Sequence, residues 1–169
     1  YIASHTAISL INEGLNVVLY DNLSNSNSNM LNKLYTITGK KIPFIEADVR
    51  DTNFLKNTLQ KYKIDGVIHF AGLKSVSDSI ENPIDYYDNN VIGSISLIKA
   101  MTEAGIYMLI FSSSATVYGN PHYLPLDESH PTNTLNPYGQ TKLHIEKILS
   151  DLCNSNSKWS IACSIPPIY

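Results

Sequence analysis

The stretch Asn136-Pro137-Tyr138-Gly139-Gln140-Thr141-Lys142 places a phenol and an ammonium four positions apart. On a helix that spacing puts both groups on one face, and Pro137 is suited to the helix start. A phenol beside a cation can become a general base. To accept a proton near neutrality a phenol must fall about three pKa units from ~10, or about 4 kcal/mol. One cation at ~4 Å in an effective dielectric of about 20 supplies that much. Ser112-Ser113-Ser114 lies two dozen residues earlier at the end of an apolar run, so Ser114 can hydrogen-bond the same substrate oxygen. Alone, a Tyr-x-x-x-Lys pair is more often than not an accident of a helix surface, and the serines raise it above that level.

Three weaker candidates share a setting. Asp21-Asn22 follows the apolar run ending at Tyr20, Asp48-Val49 follows one ending at Ala47, and Ala71-Gly72 follows one ending at Phe70. An acid after a strand can accept the two hydroxyls of an adenosine ribose and repel a 2′-phosphate, although it is also a common turn former. Asp48 could meet an adenine amino group or serve as a cap. A small pair after a strand lets backbone approach a pyrophosphate, or simply packs.

These positions are set by elements that alternate along the chain. Ile2, Ile8, Leu10 and Ile11 form one face of a helix that Gly14 can end, and Asn16 to Tyr20 then reads as a strand covered on both faces. Asp51 is placed to cap a helix running to about Tyr62, and Val67 to Phe70 is the next strand. Pro83 opens a long helix closed by Gly105, followed by the strand Met108 to Phe111. Tyr138 to about Asn154 is helical, and Trp159 to Cys163 is a last strand. Ser24 to Asn29 reads as a flexible loop without a function of its own. Such alternation predicts an α/β fold, a doubly wound parallel sheet in one domain, with ligands bound outside the carboxyl ends of the strands.

Composition narrows the function. The 169 residues are 43% hydrophobic and 16% charged with a formal net charge of −3, which suits one globular domain and excludes disordered, collagenous and solenoid classes. Arg50 is the sole arginine, too little cationic surface for nucleic acid. Cys153 and Cys163 are too few for a disulfide scaffold and read as buried small residues in a reducing compartment. No apolar stretch approaches the ~18 residues of a membrane span, and the first residues show no leader pattern, so a cytoplasmic protein is expected.

Beyond the Tyr-Lys-Ser constellation, a series of segments resembles the UDP-glucose 4-epimerases, a family of extended short-chain dehydrogenases/reductases. They are Tyr1 to His5, Tyr20 to Leu23, Asp48 to Asp51, Val67 to Lys74, Tyr86 to Val91, Phe111 to Gly119 and Asn136 to Lys142. The likeness runs to about Ala162. Dehydratases of the superfamily typically carry Asp-Glu where this chain has Ala115-Thr116.

The resemblance implies a Rossmann-type NAD-binding domain and interconversion of UDP-galactose and UDP-glucose by transient oxidation at sugar C4. It makes Tyr138 the base at the 4-hydroxyl, has Lys142 lower the phenol's pKa and grip the nicotinamide ribose, and has Ser114 order the sugar oxygen. Asp21 and Asn22 would hold the adenosine ribose, and Asp48 with Val49 would meet the adenine. Phe70, Ala71, Gly72, Lys74 and Asn89 would line the cofactor, Lys74 also meeting substrate. No metal is implied, and a homodimer is expected, paired through the helices after Pro83 and Pro137. Measured against the family, residues 1–169 read as a domain incomplete at both ends. The glycine-rich loop would end at Ala3 with the first strand ahead of it, and the nucleotide-sugar domain would follow. Residues 163–169 diverge from the family pattern. Gln140 replaces a usual lysine and the loop before Tyr138 is about one residue short, and neither of these two changes is expected to touch the chemistry. A uronate epimerase or decarboxylase and a non-catalytic NAD-binding remnant are the alternatives.

Overall fold

Asp51 caps its helix as the spacing predicts, its carboxylate accepting the Phe54 N–H at 3.0 Å at the start of Thr52–Lys61. In the computed structural model, which describes residues 1–165, this helix is one of seven around five short parallel strands. Pro166 to Tyr169, the end of the divergent stretch, lie outside the described residues. The helices are α1 (Ile2–Asn12), α2 (Asn29–Thr38), α3 (Thr52–Lys61), α4 (Val76–Glu81), α5 (Pro83–Tyr86), α6 (Gly93–Ala104) and α7 (Pro137–Ser155). The strands are β1 (Leu19–Asp21), β2 (Phe44–Glu46), β3 (Gly66–His69), β4 (Met108–Ser112) and β5 (Ser160–Ser164).

All strand pairs are parallel, in two sheets. β1 pairs β2, with Asp21 opposite Glu46, and β3-β4-β5 forms the second, with His69 opposite Phe111 and Ser112 opposite Ser164. The register aligns the carboxyl ends of β3 and β4, so the residues after His69 and Phe111 emerge side by side. Between the strands, Leu109 and Phe111 are buried with Leu55 and Leu59 of α3, Leu97 and Met101 of α6, and Ile145 and Leu149 of α7. Burying each such side chain is worth roughly 1.5–3 kcal/mol.

Several expectations need correction. The opposite face of β4 is not covered among the described residues: Met108 is 56% and Ile110 38% exposed, so the apolar run alternates. The strand expected from Asn16 begins its ladder at Leu19, whose N–H donates to Pro43 O at 2.9 Å, because the partner strand starts only at Phe44. α2 and α4 were not expected, although Ser75 caps α4 by accepting the Asp78 N–H. The long helix from Pro83 is interrupted by a wider π turn over Tyr87–Ile92 before α6 resumes to Gly105, which ends it at φ 76°. Cys153 is half-buried but Cys163 is exposed, since β5 is the edge of its sheet.

Candidate functional site

The start of α7 is fixed by two devices. The Asn136 side chain accepts the Gly139 N–H at 2.8 Å as N-cap, with Pro137 in the first turn. Gly139 then lies against the 3₁₀ turn Ala115–Val117 so closely that a Cβ there would sit 2.9 Å from Thr116 O. The helix end bearing Tyr138 is thereby docked on the loop that carries Ser114.

Ser114 caps that 3₁₀ turn. Its Oγ accepts from the Thr116 N–H at 3.3 Å and the Thr116 hydroxyl at 3.0 Å, which leaves its own proton to be donated outward. Thr116 is therefore a site residue that sequence reasoning treated only as a departure from the dehydratase pattern.

Lys142 is one turn beyond Tyr138 and only 5% exposed. Its Nζ donates to Ser112 O at 2.8 Å and lies 4.7 Å from the centre of the Phe111 ring and 6.0 Å from that of Tyr138. Burial pushes the ammonium down to about 8, and the Glu146 carboxylate opposes the fall. Tyr138 stands edge-on to the buried Tyr86 ring at 6.5 Å.

A second region lies at the carboxyl ends of β1, β2 and β3. Asp21, Asn22, Val49, Ala71, Gly72 and Asn89 of the expected cofactor residues line one cleft, together with Ser24, Asn25 and the strand-end residues Tyr20 and Ala47. Ser24 and Asn25 of the loop expected to have no function of its own line this cleft, and Asn25 Nδ2 reaches Gly72 O at 3.5 Å. Asp21 uses Oδ1 for a turn, accepting from the Leu23 N–H at 2.7 Å and the Ser26 hydroxyl at 2.8 Å, and these bonds leave Oδ2 available. Gly72 has φ 158°, and a Cβ on it would press to 3.0 Å from Asn90 Oδ1. Phe70 and Lys74 lie outside the cleft lining, Phe70 half-buried and Lys74 exposed.

Asp48 is engaged by its neighbours. Its Oδ1 accepts from the Arg50 N–H and Nε, and its Oδ2 from Arg50 Nη2 and Asn22 Nδ2, so the carboxylate is saturated. The Arg50 guanidinium holds it well below the usual carboxylate range. Arg50 also pairs with Asp88, tying the β2 loop to the π turn. In this arrangement Asp48 orients Asn22.

The two regions are joined by Asn90, which sequence reasoning missed. It is 2% exposed in the π turn, accepts from the Leu73 N–H at 2.8 Å, and donates to Leu73 O at 3.0 Å and Thr141 Oγ1 at 3.1 Å. Thr141 in turn donates to Tyr138 O at 2.7 Å. The available signal was the polar run Asp88-Asn89-Asn90 set between the apolar residues Tyr86-Tyr87 and Val91-Ile92 of a helical stretch. Gln140 also has work here, accepting from Thr134 and contacting His144 at 3.2 Å, which pins the preceding loop to α7.

His69 supports the same turn. Its Nε2 donates to Ser94 Oγ at 2.9 Å, and Ser94 passes its own proton to Asn90 O at 2.6 Å. Burial first, and then the Lys142 charge, push the imidazole down to about 3. The unfolded chain, with an ordinary histidine near 6.5, takes up the proton first on acidification. Stability is therefore expected to fall from about pH 6.5 toward about 3, with a slope of up to roughly 1.4 kcal/mol per unit. Urea midpoints of the full-length gene product between about pH 7 and about pH 5 check this. His69→Gln should flatten the slope, and an unchanged slope would refute the assignment.

Among the described residues no helix is long and apolar enough to cross a membrane, and no cluster suits a metal ion. Comparison with known proteins agrees with the geometry. A model of the GDP-mannose 4,6-dehydratase family matches residues 1–164. The chain is 48% identical over 162 residues to a UDP-glucose 4-epimerase of Neisseria meningitidis serogroup C, covering 95% of this chain and 48% of the relative. It is 47% identical to the Bacillus subtilis UDP-glucose 4-epimerase, covering 96% and 48%. The chain thus spans about half the length of the curated relatives it matches. A Stenotrophomonas maltophila UDP-glucose 4-epimerase solved with NAD and formylated UDP-arabinopyranose superposes with a TM-score of 0.95 at 43% identity, covering 96% of this chain and 48% of that one. The Bifidobacterium longum enzyme in complex with NAD⁺ and UDP gives 0.94 at 44%, covering 96% and 49%. With its doubly wound α/β architecture, this chain belongs to the GDP-mannose 4,6-dehydratase family of extended short-chain dehydrogenases/reductases, and its similarity within that family is to the UDP-glucose 4-epimerases.

Proposed function

We propose that this chain is the cofactor-binding half of an NAD-dependent UDP-hexose 4-epimerase that interconverts UDP-galactose and UDP-glucose. The observation that carries the reading is the docking of Tyr138, Lys142 and Ser114 at the end of β4, linked by Asn90 to the cleft of Asp21 and Gly72. The residues present suit a dinucleotide. Asp21 offers a free carboxylate oxygen to ribose hydroxyls, and Ala71-Gly72 offers backbone without bulk. Asn22, Val49 and Asn89 would complete the adenosine side, and Lys142 would grip the nicotinamide ribose.

When bound, NAD would be held by Asp21, Asn22 and Lys142 and would supply both the acceptor and the donor of the sugar C4 hydride. Tyr138 takes the proton of the 4-hydroxyl as that hydride leaves and returns it after the sugar has turned. Ser114, its lone pairs engaged by Thr116, donates to the same oxygen and holds it as its charge changes. Lys142 keeps a positive charge beside the phenol. Ala115-Thr116 supplies no acid or base for eliminating water, which favours epimerisation over dehydration. A homodimer belongs to the reading, with the exposed Ile84 and Ile92 on the helical run from Pro83 available for pairing, as does a cytoplasmic location.

UDP-galactose deuterated at C4 tests the reading directly. The full-length gene product should yield UDP-glucose that keeps the deuterium at C4, because the hydride is stored and returned. Loss of the label to solvent, or a dehydrated sugar, would point to another reaction. Cofactor choice supplies a further expectation. The Asp21 carboxylate disfavours a 2′-phosphate by a few kcal/mol at an effective dielectric near 20, so NAD should bind well ahead of NADP. Asp21→Ala should narrow the gap, and Asp21→Asn, which keeps an acceptor for Leu23 and Ser26, should narrow it with less disturbance of the loop. Equal binding of both cofactors by the parent in titration calorimetry would reduce Asp21 to a turn residue.

A further inference from the structure

Lys142 is held at both ends of one small circuit. Its Nζ donates to Ser112 O at 2.8 Å; the next residue, Ser113, is buried and donates its hydroxyl to Glu146 Oε1. Glu146 is four residues beyond Lys142 on α7, so helix and strand end close a ring in which the carboxylate stands on the ammonium's own face. The Ser113 N–H also donates to Ser164 O at 2.8 Å, which fixes the strand end against β5.

We propose that Glu146 is a positioning residue that keeps the Lys142 ammonium charged and seated on Ser112. The inference rests on the role given above to Tyr138 and Lys142, and it adds a residue that does not touch the reacting atoms. The other groups around Lys142 cannot do this work. His69 on β3 is buried and neutral, Phe111 on β4 offers only its ring at 4.7 Å, and Tyr138 shares the helix. Tyr118 beside the 3₁₀ turn is pushed up by burial first, and the thiol of Cys163, partly desolvated although the residue as a whole is exposed, is pushed up likewise; the Glu146 charge adds to both, so neither supplies an anion. Glu146 is the one acid whose charge raises Lys142 against its burial. Without that charge the ammonium would lose its proton at a lower pH.

Glu146→Gln in the full-length gene product removes the charge but keeps an oxygen for the Ser113 hydroxyl. The alkaline limb of kcat/KM for UDP-galactose should move down by about one pH unit, and Glu146→Asp should recover part of the shift. A residue that only supported the fold would lower kcat/KM without moving the limb. The Lys142 titration is read independently of turnover by NMR of ¹³Cε-labelled lysine, with the Lys142 signal assigned by its loss in Lys142→Arg. Its midpoint should fall in Glu146→Gln, or in Glu146→Asp to a lesser degree if the glutamine variant does not fold. An unmoved Lys142 midpoint overturns the inference. A parent that titrates as expected but does not turn over UDP-galactose overturns the epimerase reading instead.

Discussion

Replacing Tyr138 by Phe is expected to cut turnover of UDP-galactose by roughly 10²–10⁴-fold while fold and bound NAD survive. The ring keeps its edge contact with Tyr86, and the helix start keeps its Asn136 cap and its seat on Thr116, so only the proton acceptor is lost. Lys142→Met should lose both activity and NAD, because it removes the charge beside the phenol and the group that grips the nicotinamide ribose. The fold should tolerate it, since the ammonium's burial is itself costly and an apolar chain of similar length fits the same space. Ser114→Ala should cost activity with little loss of cofactor. Steady-state turnover beside the absorbance of protein-bound NAD separates the three. Turnover of Tyr138→Phe at the parent rate would reduce the Tyr-x-x-x-Lys pair to helix decoration.

Expressed as these 169 residues alone, the chain is expected to show no turnover and poor solubility. β1 and β3 each have one hydrogen-bonded neighbour among the described residues, which leaves a free edge on each sheet. Met108 and Ile110 expose the uncovered face of β4 beside them. Free edges next to apolar surface are where sheets pair with other chains. Size-exclusion chromatography and thermal melting check this. A monodisperse, cooperatively melting 169-residue product that converts UDP-galactose would contradict it.

Much of the fold was legible because its signals are local. The cap at Asp51, the stops at Gly14 and Gly105 and the start at Pro137 depend on a few neighbouring residues, and each lies within a residue or two of where it was expected. What escaped depends on partners far along the chain. The π turn at Tyr87–Ile92 is held by His69, Leu73, Ser94 and Thr141 around Asn90, and no helical periodicity announces such a turn. The hydrogen bonds of Asp48 to Arg50 and Asn22 depend on side-chain geometry that spacing does not announce. β4 looked doubly buried because an apolar run does not say whether both faces are covered. That Tyr138 and Lys142 share a helix face and Ser114 sits at a strand end follows from residue types and spacing alone. The roles of Thr116 and Glu146, which orient Ser114 and Lys142, do not, since threonine and glutamate are ordinary residues in a turn and on a helix.

Whether this chain carries the catalytic group proposed for it is decided by an NMR time course of UDP-galactose with the NAD-loaded full-length gene product. Conversion to UDP-glucose without added oxidant or reductant is expected, with the same final mixture when the reaction starts from UDP-glucose and no net consumption of NAD. A folded, NAD-loaded protein that leaves both sugars unchanged would contradict it.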